Sequence, residues 1–201
     1  SADGHSVRLI AARGESLNEK IPLTAIPLAD SRHMRVAQMK SQLDRGEVTA
    51  DFESLRDELT DQLLDALSGV DILIVHNICS LNKNLALTAA LYQLHVAGKL
   101  PRLILWHHDL AWTTPRYQKE LHEGYPWDLL KTAWAEATQV TVSEMRQDEL
   151  SDLMKIEKSK IHVVPNGVDV GKFLKLEEQT VEYIKKLDLL QASPLLLLPV
   201  R

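Results

Sequence analysis

Apolar residues recur along the chain in two modes: short unbroken runs, and longer segments in which they return every three or four residues. The runs at 7–12, 71–75, 101–106, 139–142, 161–164 and 194–200 predict strands. The periodic segments at 33–45, 51–67, 82–96, 128–136, 143–156 and 177–190 predict helices. In the first, Val36, Met39 and Leu43 share a face. In the second, Leu55, Leu59, Leu63 and Leu67 line one side, and Glu53, Asp57, Glu58, Asp61 and Asp65 lie on the solvated side. Gly46 and Gly69 stop these two helices, and Ser143 is an N-cap for a later one.

Strands separated by helices in steady alternation imply an α/β fold, a doubly wound and mainly parallel Rossmann-like sheet. The unbroken apolar character of 71–75 suits a strand covered on both faces. In such sheets ligands bind beyond the carboxyl ends of the strands. The polar clusters His76-Asn77, His107-His108-Asp109, Ser143-Glu144 and Asn166-Gly167 all fall at those ends. The Asn-Gly pair also reads as a hairpin turn. The arm after it does not alternate and contains Gly171, which favours a chain leaving the domain, with Phe173 as an aromatic anchor.

Composition narrows the classes. The chain has 201 residues, enough for one full-sized domain with a core, or a domain plus a fragment of another. A net charge of -5 argues against a nucleic-acid binder working through bulk attraction. The lysines at Lys155, Lys158 and Lys160 read first as a solvated helix end. The single cysteine, Cys79, permits no internal disulfide, and its apolar neighbours predict a buried reduced thiol in a cytoplasmic setting. No apolar run spans a bilayer, and the polar stretch before the first strand does not read as a signal peptide.

The candidate chemistry sits on histidine and carboxylate. Adjacent strand residues face opposite ways, so His107 and His108 are not expected to share a metal. His107 reads as packed under the sheet, and His108 as the residue at the ligand edge, beside Asp109. A metal-assisted hydrolase using His76, His108 and Asp109 stands as one alternative, and a non-catalytic carbohydrate- or protein-binding domain as another. There is no G-x-G-x-x-G, no Walker-type loop and no G-x-S-x-G. Trp106, Trp112, Trp127 and Trp134 fall around one loop region, as core or lid packing.

The run from Lys160 to Asp169, with Pro165-Asn166-Gly167-Val168-Asp169 and then Phe173, resembles the signature of family 4 glycosyltransferases. Gly4-His5-Ser6-Val7, the segment from Leu105 to Leu110, and the segment from Val140 to Glu144 resemble further strand ends of that family. The resemblance implies the acceptor-side half of a GT-B fold, in a retaining enzyme that moves a sugar from a nucleotide-diphosphate sugar to an acceptor hydroxyl. It implies no catalytic metal and no other cofactor. His108 would orient or stabilise the transferred sugar, with Asp109 in support. His76 and Asn77 would face the acceptor cleft, Asn166 and Gly167 its floor. Arg201 would be half of a donor-phosphate clamp. The implied organisation is an acceptor-side domain over 1–176 without its first strand, a linker helix over 177–193, and the first strand of a truncated donor domain over 194–201. Such a fragment is expected to be inactive alone. Many relatives act on lipids, so a peripheral membrane contact fits, although no strong basic amphipathic helix marks one.

Overall fold

The computed structural model describes residues 4–16, 19–169, 173 and 177–194. Two compact units appear, Ser1–Pro165 and Asn166–Arg201. The first carries nearly all of the predicted elements. Strands β1 (Leu9–Ala11) and β2 (Leu23–Ala25) pair in parallel, Leu9 opposite Leu23. Helices α1 (Met34–Leu43) and α2 (Ala50–Ala66) follow. Their apolar faces go inward as the spacing requires: Val36, Met39 and Leu43 from α1, and Phe52, Leu55, Leu59 and Leu63 from α2, are buried.

A second sheet has four parallel strands in chain order: β3 (Ile72–His76), β4 (Arg102–His107), β5 (Thr138–Thr141) and β6 (Ile161–Val163). Helix α3 (Leu85–Val96) connects β3 to β4, and α4 (Glu144–Met154) connects β5 to β6. The fold is thus a parallel, Rossmann-like α/β arrangement. Helix α3 is apolar nearly all round and is buried accordingly, starting on the Asn84 side chain, which accepts a hydrogen bond from the Leu87 N–H. Ser143 caps α4 by accepting from the Arg146 N–H at 3.3 Å, as its position before an apolar-periodic segment predicts. The α4 C-cap, Lys155, takes the left-handed conformation at φ 56°.

Val75, Leu103 and Leu105 from the sheet join α2 and α3 in one core cluster. Leu110, Leu150, Met154 and Ile161 form a smaller one under α4. Burial of each such side chain contributes roughly 1.5–3 kcal/mol.

Two expectations need correction. The apolar run at 71–75 is not covered on both faces: β3 ends the sheet, and Ile72 and Ile74 are 49% and 46% exposed. An unbroken apolar run reports that both faces are apolar, not what lies over them. No α-helix spans 128–136; a 3-10 turn covers Trp127–Leu130. Trp127, Leu129, Leu130 and Trp134 are all buried, and an α-helix would turn Leu129 away from the other three. In the second unit, Phe173 is 74% exposed.

The second unit contains α5 (Glu178–Lys186), shorter than the predicted 177–190. The strand expected at 194–200 and the phosphate-clamp residue Arg201 lie outside the described residues, apart from Pro194. Among the described residues no helix is long and apolar enough to cross a membrane.

Candidate functional site

The carboxyl ends of β3 and β4 are adjacent because these strands pair in register, His76 opposite Trp106. One residue beyond, the chain leaves both strands, and the two exits are tied together. Asn77 donates its N–H to the Trp106 carbonyl at 2.7 Å, which extends the ladder by one step. It then turns at φ 52°, in the left-handed region that asparagine tolerates better than most residues. That turn lets its side-chain oxygen accept from two backbone groups, the N–H of His108 at 3.1 Å and the N–H of Asp109 at 3.0 Å. The backbone of the His108-Asp109 exit is therefore held by a side chain from the neighbouring strand.

His76 projects from the end of β3 and stacks on Trp106, ring centroids 5.0 Å apart and planes at 24°. Its ring centroid lies 6.1 Å from that of His108. Partial burial, with a smaller contribution from the neighbouring His108, holds the His76 imidazole below its usual value. His108 and Asp109 are both half-buried. The Asp109 carboxylate has Arg146, on the first turn of α4, at 3.6 Å. Arg146 also bonds Glu149 at 2.5 Å, and Glu149 accepts from the Thr113 hydroxyl at 3.0 Å. Arg146 escaped the reading of the sequence. The Ser143 cap was the available signal, because it fixes where α4 starts and so which residue occupies its first turn.

His107, on the opposite side of β4 from Trp106, is 1% exposed and bonds the Gln139 side-chain oxygen at 2.8 Å. Burial pushes its imidazole down to about 4, with the Gln139 bond opposing. It packs under the sheet as expected and is no candidate for the ligand edge. Cys79 is buried, and burial pushes its thiol up, which suits an inert side chain rather than a nucleophile.

The structure thus brings together His76, Asn77, His108 and Asp109. Asn166 and Gly167 open the second unit, where both are exposed. Three of the tryptophans belong to the core, Trp127 and Trp134 buried in it and Trp112 packed against it, while Trp106 lies apart. Trp106 stacks on His76, Trp134 on His95 at 5.5 Å, and the Trp112 N–H bonds the Trp127 carbonyl at 3.2 Å. Among the described residues no group of three or more His, Cys, Asp or Glu side chains is arranged to hold a metal ion.

The Asn77 bonds have a direct test. Asn77→Ala removes the acceptor and leaves a β-carbon at positive φ, a combined cost of about 2 kcal/mol. Asn77→Gly keeps the turn and loses the acceptor, while Asn77→Asp keeps the acceptor. Amide hydrogen exchange at His108 and Asp109 is expected to be slow in wild type and Asn77→Asp, faster in Asn77→Gly, and fastest in Asn77→Ala. Unchanged exchange in Asn77→Ala would remove the tie between the two exits.

The family model described as Glycosyltransferase Family 4 aligns with residues 1–172. No curated protein and no solved structure matches the chain.

Proposed function

The chain belongs to glycosyltransferase family 4, and from that membership we propose that it is the acceptor-side part of a retaining glycosyltransferase. The reaction proposed is transfer of a sugar from a nucleotide-diphosphate sugar to an acceptor hydroxyl, in the cytoplasm. The bond from the anomeric carbon to the diphosphate oxygen breaks with its electron pair going to the diphosphate, a bond to the acceptor oxygen forms, and the hydroxyl proton passes to the leaving diphosphate oxygen.

The observation that supports this reading is the joined carboxyl edge of β3 and β4. His76 and His108 stand there side by side, and the His108-Asp109 backbone is fixed by Asn77. In this reading His108 lies over the transferred sugar and stabilises it as positive charge develops at the anomeric carbon. His76 meets the acceptor. Asp109 supports His108 and is itself held by Arg146. Asn166 and Gly167 shape the floor between the two sugar sites, and Arg201 neutralises the leaving diphosphate. The proposal uses no catalytic metal.

The test is to read the gene onward from Arg201, express the product and assay it with nucleotide sugars. Release of nucleoside diphosphate together with a product of unchanged anomeric configuration is expected. The 201-residue chain alone is expected to show no transfer, because the donor contacts in this reading come mainly from another domain. A gene with no second βα domain, or transfer by the isolated chain at the rate of the longer product, would sink the proposal.

A further inference from the structure

Two loops leave the same edge as the site above. One runs from Asn77 to the start of α3; the other follows β4 and contains a 3-10 turn over Pro115–Glu120. They are bound to each other. The Ala111 N–H donates to the Ser80 carbonyl at 2.8 Å, and the Asn82 side-chain nitrogen donates to the Glu120 carboxylate at 2.8 Å.

Each loop presents one cation to the same aromatic ring. The Lys83 ammonium lies 4.9 Å from the Tyr117 ring centroid and the Arg116 guanidinium carbon 4.5 Å from it. Arg116 also donates to the Tyr117 hydroxyl at 2.6 Å. Tyr117 itself is only 4% exposed, so it is a fixed platform, while both cations reach solvent.

Several nearby cations are neutralised by carboxylates. Lys40 bonds Asp44 at 2.7 Å and Glu120 at 2.9 Å; Lys131 pairs with Glu123 and Asp128; Arg146 pairs with Glu149 and Asp109. Among the described residues Lys83 and Arg116 have no ion pair. Glu120 is near enough for the Lys83 charge to stabilise its carboxylate, but its hydrogen bonds go to Lys40 and Asn82. Cation–π attraction of about 0.5–1 kcal/mol per exposed cation holds each charge in place without neutralising it. The mutual repulsion of the two cations is relieved by an anion that both can reach. A guanidinium fork beside an ammonium suits the several oxygens of a phosphate group.

We propose that Lys83 and Arg116, packed on Tyr117, bind the phosphate group of a phosphorylated acceptor. Assigning that phosphate to the acceptor rests on the glycosyltransferase reading; the anion site itself does not. The phosphate belongs either to a soluble ester or to a lipid headgroup.

Binding can be read on the 201-residue chain without any donor sugar, so it stands or falls apart from the transfer assay. The probes are glycerol 1-phosphate, followed through backbone amide shifts, and phosphatidylcholine vesicles with or without phosphatidic acid, followed by co-sedimentation. Glycerol 1-phosphate is expected to move the amides of 80–84 and 114–118. The affinity should fall about tenfold or more in K83A/R116A, corresponding to about 1.4 kcal/mol, and be retained in K83R. Lys99→Ala, an exposed lysine before β4, is the control and should bind as wild type. Both cations are exposed, so the amide spectrum away from the loops should stay intact. Binding of the soluble ester alone identifies a soluble acceptor; binding only to vesicles that contain phosphatidic acid, lost in the double variant, identifies a lipid one. Equal affinity in wild type and K83A/R116A, an equal loss in Lys99→Ala, or no binding to any probe overturns the proposal.

Discussion

Replacing His108 by alanine is expected to slow the proposed sugar transfer about 100- to 1000-fold, the usual effect of removing a group that stabilises transition-state charge. The expectation comes from placement. His108 is the first residue beyond β4, it is half-buried, and its backbone N–H is held by Asn77 rather than by the strand ladder. Its ring therefore stands at the carboxyl edge, where ligands of parallel sheets bind. If the imidazole acts only as the sugar reacts, kcat falls far more than acceptor KM rises. Steady-state kinetics of wild type and His108→Ala, with the amide spectrum of the 201-residue chain as a check on folding, give both quantities. A loss below about threefold would show that the chemistry lies elsewhere. A rise in KM at constant kcat would make His108 a binding group only.

The second large effect is on stability and comes from the neighbouring histidine. An ordinary imidazole takes up its proton near 6.5, whereas burial pushes His107 down to about 4. The folded protein therefore keeps His107 neutral over a range in which the unfolded chain is protonated. The sign follows: stability is fully present above about 6.5, is lost as pH falls from there toward 4, and levels off below 4 as far as this group is concerned. Over the whole window the loss is about 3 kcal/mol. His76, also held below its usual value, adds loss of the same sign. Glu120, whose carboxylate is held low chiefly by its Lys40 bond, adds loss only at lower pH, below the usual carboxylate value. Urea unfolding of wild type and His107→Leu between pH 7.5 and 4.5 separates these contributions. The variant leaves the Gln139 oxygen without its partner, so absolute stabilities shift and the slopes are the comparison. A markedly flatter dependence in His107→Leu is expected; identical slopes would show that His107 does not carry it.

Much of the fold is written locally. Each helix with a clear apolar stripe, at 33–45 and 51–67, formed within a few residues of its predicted bounds, because burying that stripe is what stabilises it. Ser143 capped α4 because its hydroxyl satisfies an amide that the helix cannot. The segment at 128–136 failed the same logic. Its buried residues do not share a helical face, and the packing of Trp127 and Trp134 took precedence over local periodicity.

The site was legible as a location and less so as a set of interactions. His76, Asn77, His108 and Asp109 could be placed on one edge because each follows an apolar run. What each side chain does there was not readable. Asn77, expected to face the acceptor, spends its oxygen on two backbone N–H groups. Asp109, expected to support His108, has Arg146 as its ion-pair partner. Lys83 and Arg116 carry no pattern at all in the chain, since what marks them is a shared aromatic ring and the lack of an ion pair among the described residues.

The division has a physical basis. Most strand and helix positions, the stops at Gly46 and Gly69 and the polar residues at the strand ends depend on neighbours within a few positions, so the amino-acid order alone settles them. The tie from Asn77 to His108, the exposure of β3 and the pairing of Lys83 with Arg116 depend on which strands become neighbours. Those contacts join residues some thirty positions apart, across parallel strands whose register is set by core packing. Only the folded chain brings them within reach.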